Sequence, residues 1–263
     1  MALVDTHCHL DFNAFSSDRF DVLQRAQQAG LKRIVNPGID IDNCQAILRL
    51  CETYSELFAA VGIHPSSSLT WNQETLRGLR LLAQHPKVVA IGEIGLDFYR
   101  DRAPQELQRR VFREQLELAG ELGLPVIVHT RQAESEAVDI LSEWVTQRVN
   151  GSSPPGVLHS YTGDEPTAQR AIAMGFFIGI TGPVTFRNAI QLQDLVIALP
   201  LTSLLVETDA PFMTPHPHRG KRNEPAYVRL VAEKIAALKN QPLGRVSDIT
   251  TANAEQLFQW SLV

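Results

Sequence analysis

Short apolar runs recur along the chain, and longer segments whose apolar positions repeat at helical spacing separate them. Runs rich in Val, Ile, Leu and Phe are typical of buried strands. They predict strands at 2–7, 33–38, 58–64, 88–95, 125–130, 156–161, 176–181 and 203–208. The longer segments predict helices at 18–29, 40–54, 72–85, 104–122, 133–147, 164–174, 188–199, 224–239 and 246–260. Glycine or proline marks several of the joins, as expected where one element ends.

The alternation of strands and helices predicts an α/β protein built from parallel βα units. Eight such units in 263 residues match the size of a (β/α)8 TIM-type barrel, which is the leading architecture. A doubly wound sheet is the alternative. Because neither a repeat nor a shift in composition divides the chain, we expect a single domain over 1–263, with 149–156 as a loop.

The composition narrows the classes of protein that fit. Hydrophobic residues make up 44% of the chain and charged residues 20%, as in a folded domain with a sizeable core. The net charge of −5 argues against a broadly basic nucleic-acid-binding surface, so any contact with a polyanion must be local. No signal peptide or membrane-spanning run is visible in the sequence. We therefore expect a cytoplasmic protein without an obligate protein partner.

The cysteines do not indicate a metal site or a disulfide framework. There are three, at Cys8, Cys44 and Cys51, and their spacing matches no zinc-finger pattern. Cys44 and Cys51 lie seven residues apart in a predicted helix, where both are expected to fill one buried face.

The stretch LVDTHCHLDF at 3–12 begins in the first predicted strand and continues past its end, and it places two imidazoles and two carboxylates close together. Side chains two residues apart in a strand point to the same side, so Asp5, His7 and His9 are expected to share one face. Two imidazoles on one face near a strand end can bind one metal ion. A hydrogen-bonded strand end is the other interpretation, and this motif alone leaves both open.

Other predicted strands also end in residues that can bind metal. These are His64 in GIHP, Glu93 in GEIGLDFYR, His129 in VIVHTR, His159 in VLHSYTG, and Glu207 and Asp209 in LLVETDAPF. In a parallel barrel the carboxyl ends of all strands meet at one rim, where active sites lie. Imidazoles and carboxylates suit Zn²⁺, Mn²⁺, Fe²⁺ or Co²⁺, and Mg²⁺ where water and phosphate complete its ligands. The sequence therefore predicts a divalent metal centre at the rim.

The number of ligands predicts two ions. Five or six ligands exceed those of one tetrahedral ion, whereas two ions about 3.5–4 Å apart, bridged by a carboxylate, use them all. Glu93 is the expected bridge, and a buried salt bridge to a rim arginine is the alternative. Asp209 is expected to bind one ion and to accept the proton of the nucleophilic water. Glu207 is expected to orient a ligand imidazole or to pair with a charge inside the barrel.

Taken in order and spacing, DTHCHLDF, GIHP, GEIGLDFYR, PVIVHTR, HSYTG and ETDAPF resemble the TatD family of metal-dependent deoxyribonucleases. That family belongs to the amidohydrolase-like metal-dependent hydrolases. The resemblance begins at residue 4 and covers essentially the whole chain. It implies a (β/α)8-type barrel, two divalent ions (Mg²⁺, Mn²⁺ or Zn²⁺), and phosphodiester hydrolysis by 3′→5′ exonuclease action.

The resemblance also implies roles for single residues. His64 is similar to the family's active-site histidine, which contacts the scissile phosphate. Many related barrels bridge their metals with a modified lysine on the fourth strand, whereas this chain has Glu93 there and Lys87 at the wrong end. The implied metal ligands are His7 and His9 for the first ion, His129 and His159 for the second, Glu93 as the bridge, and Asp209 as a first-ion ligand and proton acceptor.

Cations near the predicted ligands suggest how a DNA substrate is held. The segment HRGKRNEP at 218–225 follows the eighth strand, and we expect Arg219, Arg222 and also Arg131 to contact phosphates. A solvated surface run is the alternative for this segment. Tyr161 is expected to stack on a base, or else to pack a loop. A small pocket at a barrel mouth admits a strand end more readily than duplex, which favours single-stranded or frayed DNA.

Two other functions stay open from the sequence. The first is hydrolysis of a small ester, lactone or amide on the same barrel, because a fold does not fix a substrate. The second is a non-catalytic metal-binding or nucleic-acid-binding module. Asp209 and His64 fit that second function poorly, because a purely structural metal site needs neither of them.

Overall fold

The computed structural model describes residues 2–100, 102–147 and 153–260. Its eight strands are β1 (Leu3–Asp5), β2 (Leu31–Pro37), β3 (Leu57–Val61), β4 (Val88–Asp97), β5 (Val126–Arg131), β6 (Gly156–Leu158), β7 (Phe177–Ile180) and β8 (Leu204–Val206). Part of the predicted loop at 149–156, namely 149–152, lies outside the described residues.

Helices separate the strands, as the periodicity predicts. They are α1 (Arg19–Gln28), α2 (Ile41–Thr53), α3 (Gln73–Leu82), α4 (Gln105–Leu122), α5 (Glu134–Gln147), α6 (Glu165–Ala173), α7 (Ile190–Ala198), α8 (Val228–Lys239) and α9 (Leu243–Phe258). Short 3-10 helices lie at Asn13–Phe15, Pro65–Thr70, Gly182–Thr185, Leu201–Ser203 and Pro225–Tyr227.

The strands form one parallel sheet in the order in which they occur along the chain, β1 to β8. The two ends of this sheet approach each other: the amide of Thr6 donates to Val206 O at 3.3 Å, and Cys8 pairs with Ala210 in a parallel bridge. The sheet is therefore a nearly closed barrel. This confirms the predicted (β/α)8 architecture and excludes the doubly wound alternative, in which the strand order reverses at a switch point.

The buried apolar residues form two layers, because neighbouring residues of a strand face opposite sides of the barrel wall. One layer packs the outside of the strands against the helices and includes Cys44 and Cys51, as predicted. The other layer contains at least one side chain from each strand: Val4, Val35, Phe58, Val89, Ile127, Val157, Phe177 and Leu205.

Helix α9 closes the amino end of the barrel. Its residues Leu257 and Phe258, with Trp260 beyond it, belong to the inner layer. Asn253 on the same helix donates to the carbonyls of Leu201 and Leu204, just before and at the start of β8, at 3.1 and 2.8 Å. A plugged amino end leaves the carboxyl rim as the open end of the barrel.

Several strands end earlier than predicted at the carboxyl side. β1 ends at Asp5 rather than residue 7, β6 at Leu158 rather than 161, and β8 at Val206 rather than 208. Polar side chains that follow these strands contact each other across the rim: Glu207 accepts from the hydroxyl of Thr6 at 3.2 Å and lies 3.0 Å from His159. Among the described residues, no helix combines the length and apolarity needed to cross a membrane.

Candidate metal centre

Residues from six strands or their carboxyl ends meet at the open rim of the barrel. Three overlapping groups have ligand atoms that all lie within 4.8 Å of one another: His7, His159 and Asp209; His7, His9 and Glu93; and His64, Glu93 and His129. The rim therefore brings together all six residues that the sequence predicts as metal ligands, with His64 beside them.

An irregularity in β4 places Glu93 at the centre of this cluster. Between Ile91 and Ile94, β4 advances three residues while β5 advances two, from Val126 to Val128. A bulge of this kind re-aims a side chain that strict alternation would direct elsewhere. Glu93 is only 3% exposed, and its carboxylate lies among the histidines.

One oxygen of Glu93 faces the imidazoles that follow β1. Glu93 Oε2 lies 3.5 Å from His7 Nε2 and 3.8 Å from His9 Nε2. Asp209 Oδ1 lies 3.8 Å and 3.6 Å from the same two nitrogens, which are themselves 3.2 Å apart. Each of these two imidazole nitrogens therefore has an oxygen of Glu93 and an oxygen of Asp209 within 3.8 Å.

The other oxygen of Glu93 faces a different set of imidazoles. Glu93 Oε1 lies 2.8 Å from His129 Nδ1, 3.8 Å from His64 Nε2 and 3.9 Å from His159 Nε2. His159 Nε2 is also 4.0 Å from Asp209 Oδ1, so it lies between the two sets. In the described part of the chain the charged partners of Glu93 are histidines, not the rim arginine of the alternative interpretation.

The spacing of the first set fits a metal ion better than a hydrogen-bond network. Contacts of 3.5–3.8 Å between nitrogen and carboxylate oxygen are long for hydrogen bonds. Donors around a tetrahedral ion with bonds of about 2.1 Å lie about 3.4 Å apart, close to the observed separations. Imidazole and carboxylate ligands together suit a divalent transition metal. The residues present therefore fit a metal centre.

Burial and neighbouring charges set the protonation states of this cluster. Burial by itself raises the pKa of Glu93, but the charges of His7 and His64 outweigh it and hold that pKa well below its usual range. Burial lowers the pKa of His7, and His159 lowers it further. Burial raises the pKa of Asp209. An ionised Glu93 and a neutral His7 are ready to bind metal, and Asp209 is the more basic of the two carboxylates.

Glu207 fixes the orientation of His159. Glu207 Oε2 lies 3.0 Å from His159 Nδ1 and accepts from the amide of Ser160 at 2.9 Å. A side chain at Gly179 would collide with this carboxylate, so the glycine makes room for it. Burial lowers the pKa of His159, but the charge of Glu207 outweighs burial and raises it to about 9. With Nδ1 held by Glu207, Nε2 of His159 is directed at the cluster.

His64 presents one defined nitrogen to the site. It precedes the 3-10 helix Pro65–Thr70, and its Nδ1 accepts from the amide of Ser66 at 3.0 Å. Burial, followed by the charge of His129, lowers the pKa of His64 to about 3. Neutral His64 with an acceptor at Nδ1 carries its proton on Nε2, which faces the cluster.

Asp97 is a contact of the cluster to which the sequence assigned no role. Asp97 Oδ2 lies 3.3 Å from His129 Nε2, and Oδ1 accepts from the amides of Tyr99 and Arg100 at 3.1 and 2.9 Å. Burial by itself raises the pKa of Asp97, but the hydrogen bond with His129 outweighs it and lowers it to about 2. Its even spacing from Glu93, four residues along one strand, is the signal that could have identified it.

A buried polar clamp holds the backbone at Asp209, whose φ is +53°. The side-chain amide of Asn223 donates to Thr208 O at 2.9 Å and Phe212 O at 2.6 Å, on either side of Asp209. Thr208 in turn donates to the carboxylate of Asp5, through its hydroxyl at 2.6 Å and its amide at 2.9 Å. These bonds hold Asp209 in a left-handed conformation that residues other than glycine adopt at some cost.

The prediction that Asp5 shares the face of His7 and His9 is wrong. Strand β1 ends at Asp5, so the alternation that would align the three side chains does not continue. The carboxylate of Asp5 is used by Thr208, and it also accepts from the amide of His7 at 3.3 Å. Asp5 therefore joins the ends of β1 and β8 instead of the metal cluster.

A cavity of about 610 Å³ opens above the cluster. Arg131 lines it, as do Arg100 and Arg102, whose positions follow β4. Apolar and hydroxyl side chains complete the lining, among them Phe12, Ile39, Ser66, Thr130, Ser160, Thr162, Phe212 and Met213.

The structure does not bring Tyr161 into this cavity. Its side chain is 1% exposed, and its hydroxyl donates to Asp164 O at 2.9 Å. Because the ring is enclosed at the start of α6, it cannot stack on a bound base. The expected contact between Tyr161 and substrate is therefore wrong, and the alternative, that this ring packs a loop, is correct.

Arg222 and Arg219 also lie outside the cavity lining. Arg222 donates from Nη1 and Nη2 to the two carboxylate oxygens of Asp18, each at 2.7 Å, which anchors the segment after β8 to the start of α1. This pairing lowers the pKa of Asp18. The guanidinium of Arg219 lies over the ring of Phe186, 4.5 Å from its centroid. For Arg222 the expected phosphate contact is replaced by a structural one.

Comparison with known families gives one consistent result. The family described as TatD related DNase matches residues 4–259. An uncharacterized metal-dependent hydrolase of Bacillus subtilis, YabD, is 42% identical over 257 residues, which cover 98% of this chain and 99% of that protein. The 3′-5′ ssDNA/RNA exonuclease TatD of Salmonella typhimurium is 36% identical over 263 residues, with 98% and 99% coverage.

Solved structures agree with the sequence comparisons. The crystal structure of YjjV, a TatD homologue from Escherichia coli, superposes with a TM-score of 0.91 at 36% identity and covers 98% of both chains. A phosphotriesterase homology protein from Escherichia coli, with phosphate in its active site, has a TM-score of 0.69 at 15% identity. The latter shows only that the barrel is shared.

Proposed function

The chain belongs to the TatD related DNase family and is a metal-dependent hydrolase, and from this premise we propose that it removes nucleotides from the 3′ ends of single-stranded or frayed DNA. The related exonuclease of Salmonella typhimurium, which acts on single-stranded DNA and RNA, supports a nucleic-acid substrate. The proposed reaction is hydrolysis of a phosphodiester bond next to the strand end.

The observation that carries this proposal is the position of Glu93 between two sets of imidazoles. One oxygen faces His7 and His9, and the other faces His129 and His159. A carboxylate with both oxygens engaged in this way is suited to bridge two divalent cations. Such a pair supplies charge that polarises a phosphodiester and makes a water molecule more acidic.

Side chains around the cluster supply the proton acceptor, the hydrogen bond to the phosphate and the contacts that hold the ligands and the strand. Asp209, with a pKa raised by burial, accepts the proton of the attacking water. His64 donates a hydrogen bond from Nε2 to a non-bridging oxygen of the phosphate and stabilises the charge that grows there. Glu207 and Asp97 hold the rings of His159 and His129 in place. Arg131 holds the negatively charged backbone of the strand in the cavity.

The cavity limits what can react. The cavity has a volume of about 610 Å³, and Glu93 and Asp209 belong to its lining at the mouth of the nearly closed barrel. A strand end can reach Glu93 and Asp209 without deforming a double helix. This favours stepwise shortening of single-stranded ends over cleavage within a duplex.

Labelled oligonucleotides test this function. We expect metal-stripped protein supplemented with Mg²⁺, Mn²⁺ or Zn²⁺ to shorten a 5′-labelled single strand into a ladder. A 3′-labelled strand should instead release its label at once as a mononucleotide. A duplex with blunt ends, present at the same concentration, should be degraded more slowly.

The opposite pattern would contradict the proposal. A ladder from the 3′-labelled strand would show that nucleotides are removed from the 5′ end. An intact oligonucleotide with every metal, together with turnover of a small ester or lactone, would move the assignment to the alternative hydrolase.

A further inference from the structure

The cavity above the cluster has two chemically different sides. Strands follow their order along the chain around the barrel, so β4 and β5 lie opposite β8 and β1. The arginines of the lining, which we call the cationic wall, are Arg100 and Arg102 after β4 and Arg131 at the end of β5. The aromatic and thioether side chains, which we call the apolar wall, are Phe12 after β1 and Phe212 and Met213 after β8.

Two of the three arginines of the cationic wall, Arg131 and Arg100, have partners within the protein. The guanidinium of Arg131 lies 3.8 Å from the ring centroid of Tyr99. Arg100 Nε lies 3.9 Å from Asp97 Oδ2. Stacking on an aromatic ring leaves the edge of a guanidinium free to donate hydrogen bonds, which is how arginine binds phosphate oxygens.

The apolar wall exposes side chains that folding alone would bury. Phe212 is 51% exposed and Met213 is 42% exposed, although both lie beside a polar cluster. The ring of Phe12 stacks on His9, with 4.8 Å between centroids, and meets the ring of Phe212 edge to face at 6.0 Å. Exposed aromatic faces that border a binding site are suited to stack on a base.

The chemistry of the reaction assigns the two walls to different parts of a strand. In hydrolysis of a phosphodiester the attacking and leaving oxygens are in line on opposite sides of phosphorus. Asp209, which accepts the proton of the water, lies on the same side as Phe212, whose amide donates to Asp209 O at 2.8 Å. The leaving oxygen therefore points away from the apolar wall and towards the cationic wall.

Building on the proposed function, we propose that the cationic wall binds the phosphates of the strand that is retained, and that the apolar wall stacks the base of the terminal nucleotide that is released. Water attacks the scissile phosphorus from the Asp209 side, and the bond between phosphorus and the 3′ oxygen breaks. The retained strand takes up a proton at that oxygen, and the terminal nucleotide leaves with a 5′ phosphate. The apolar wall contacts the face of that base and not its hydrogen-bonding edge, so stacking there does not select one terminal base.

Two modified oligonucleotides separate the two walls. One lacks the base of its 3′-terminal nucleotide, and the other has a neutral methylphosphonate at the first phosphate on the 5′ side of the scissile one. We expect loss of the base to lower kcat/KM of the unmodified enzyme about tenfold through lost stacking. We expect loss of the phosphate charge to lower it about tenfold through lost arginine contacts.

Variants of the two walls should respond in opposite ways. Phe212→Ala should lose its sensitivity to the missing base and keep its sensitivity to the neutral phosphate. Arg131→Gln should lose its sensitivity to the neutral phosphate and keep its sensitivity to the missing base. Arg131→Lys, which retains the charge, should regain part of the sensitivity to the neutral phosphate. Arg110→Gln, on the exposed face of α4, is the matched control and should behave as the unmodified enzyme.

The same experiment distinguishes an error in the assignment of the two walls from an error in the proposed function. The two walls are assigned wrongly if the unmodified enzyme degrades the plain strand but Phe212→Ala loses its sensitivity to the neutral phosphate and Arg131→Gln loses its sensitivity to the missing base. They are also assigned wrongly if neither variant loses either sensitivity. Failure of the unmodified enzyme to degrade the plain strand would count against the proposed function itself.

Discussion

Glu93→Gln is expected to lower kcat/KM for a single-stranded oligonucleotide by about a thousand-fold or more, because a glutamine amide cannot bridge two cations. The substitution preserves the shape of the side chain but replaces one carboxylate oxygen by an NH2 group. That group would face either His7 and His9 or His129. Metal content should fall as well, and mass spectrometry of metals in the dialysed protein measures it.

The matched control for this substitution is Glu52→Gln. Glu52 is an exposed residue of α2 that lies 3.5 Å from His85. It should retain the activity and metal content of the unmodified enzyme. A Glu93→Gln protein that binds as much metal and cleaves within tenfold of the unmodified rate would show that Glu93 is not the bridge.

Asp209→Asn is expected to lower kcat by about a hundred- to ten-thousand-fold, the range that general base catalysis contributes. The asparagine oxygen still faces His7 and His9, so the metal content should fall far less than in Glu93→Gln. KM should change little, because Asp209 acts on the water and not on the strand. Steady-state kinetics on the 5′-labelled oligonucleotide measures both quantities.

This prediction has its own control and its own refutation. Asp248→Asn in α9, at the closed amino end of the barrel, should leave kcat unchanged. An Asp209→Asn enzyme that retains kcat within a few fold would exclude Asp209 as the proton acceptor. A loss of metal equal to that of Glu93→Gln would mean that Asp209 acts only as a ligand.

The barrel and its rim could be predicted from the sequence because both depend on local patterns. The apolar runs differ from the amphipathic segments in period, and their alternation leaves few topologies open. Once the strands are in order, their carboxyl ends must share one rim. His7, Glu93 and Asp209 could therefore be grouped although they are far apart in the chain.

Some contacts could not be predicted from the sequence, because they depend on the direction of side chains in the segments that follow the strands. Asp5 lies two residues from His7, yet β1 ends there and its carboxylate turns to Thr208. Tyr161 lies two residues after the predicted ligand His159, but its ring is enclosed beside Asp164. In these irregular segments the period of two that governs a strand no longer applies.

The sequence alone did not show which arginines of a basic segment face the site. Arg222 lies in the densest basic segment, but Asp18, more than two hundred residues away in the chain, neutralises it. Arg131 is isolated in sequence, but Arg100 joins it in the lining of the cavity because β4 and β5 are neighbours. Which cations face the site depends on long-range partners that no local pattern records.

Anomalous diffraction from crystals soaked in Mn²⁺ tests the central claim most directly, because it locates each cation without reference to activity. We expect two peaks on either side of the Glu93 carboxylate, one among His7, His9 and Asp209 and the other beside His129 and His159. A single peak remote from Glu93, or no peak at the rim at saturating Mn²⁺, would contradict a shared metal centre.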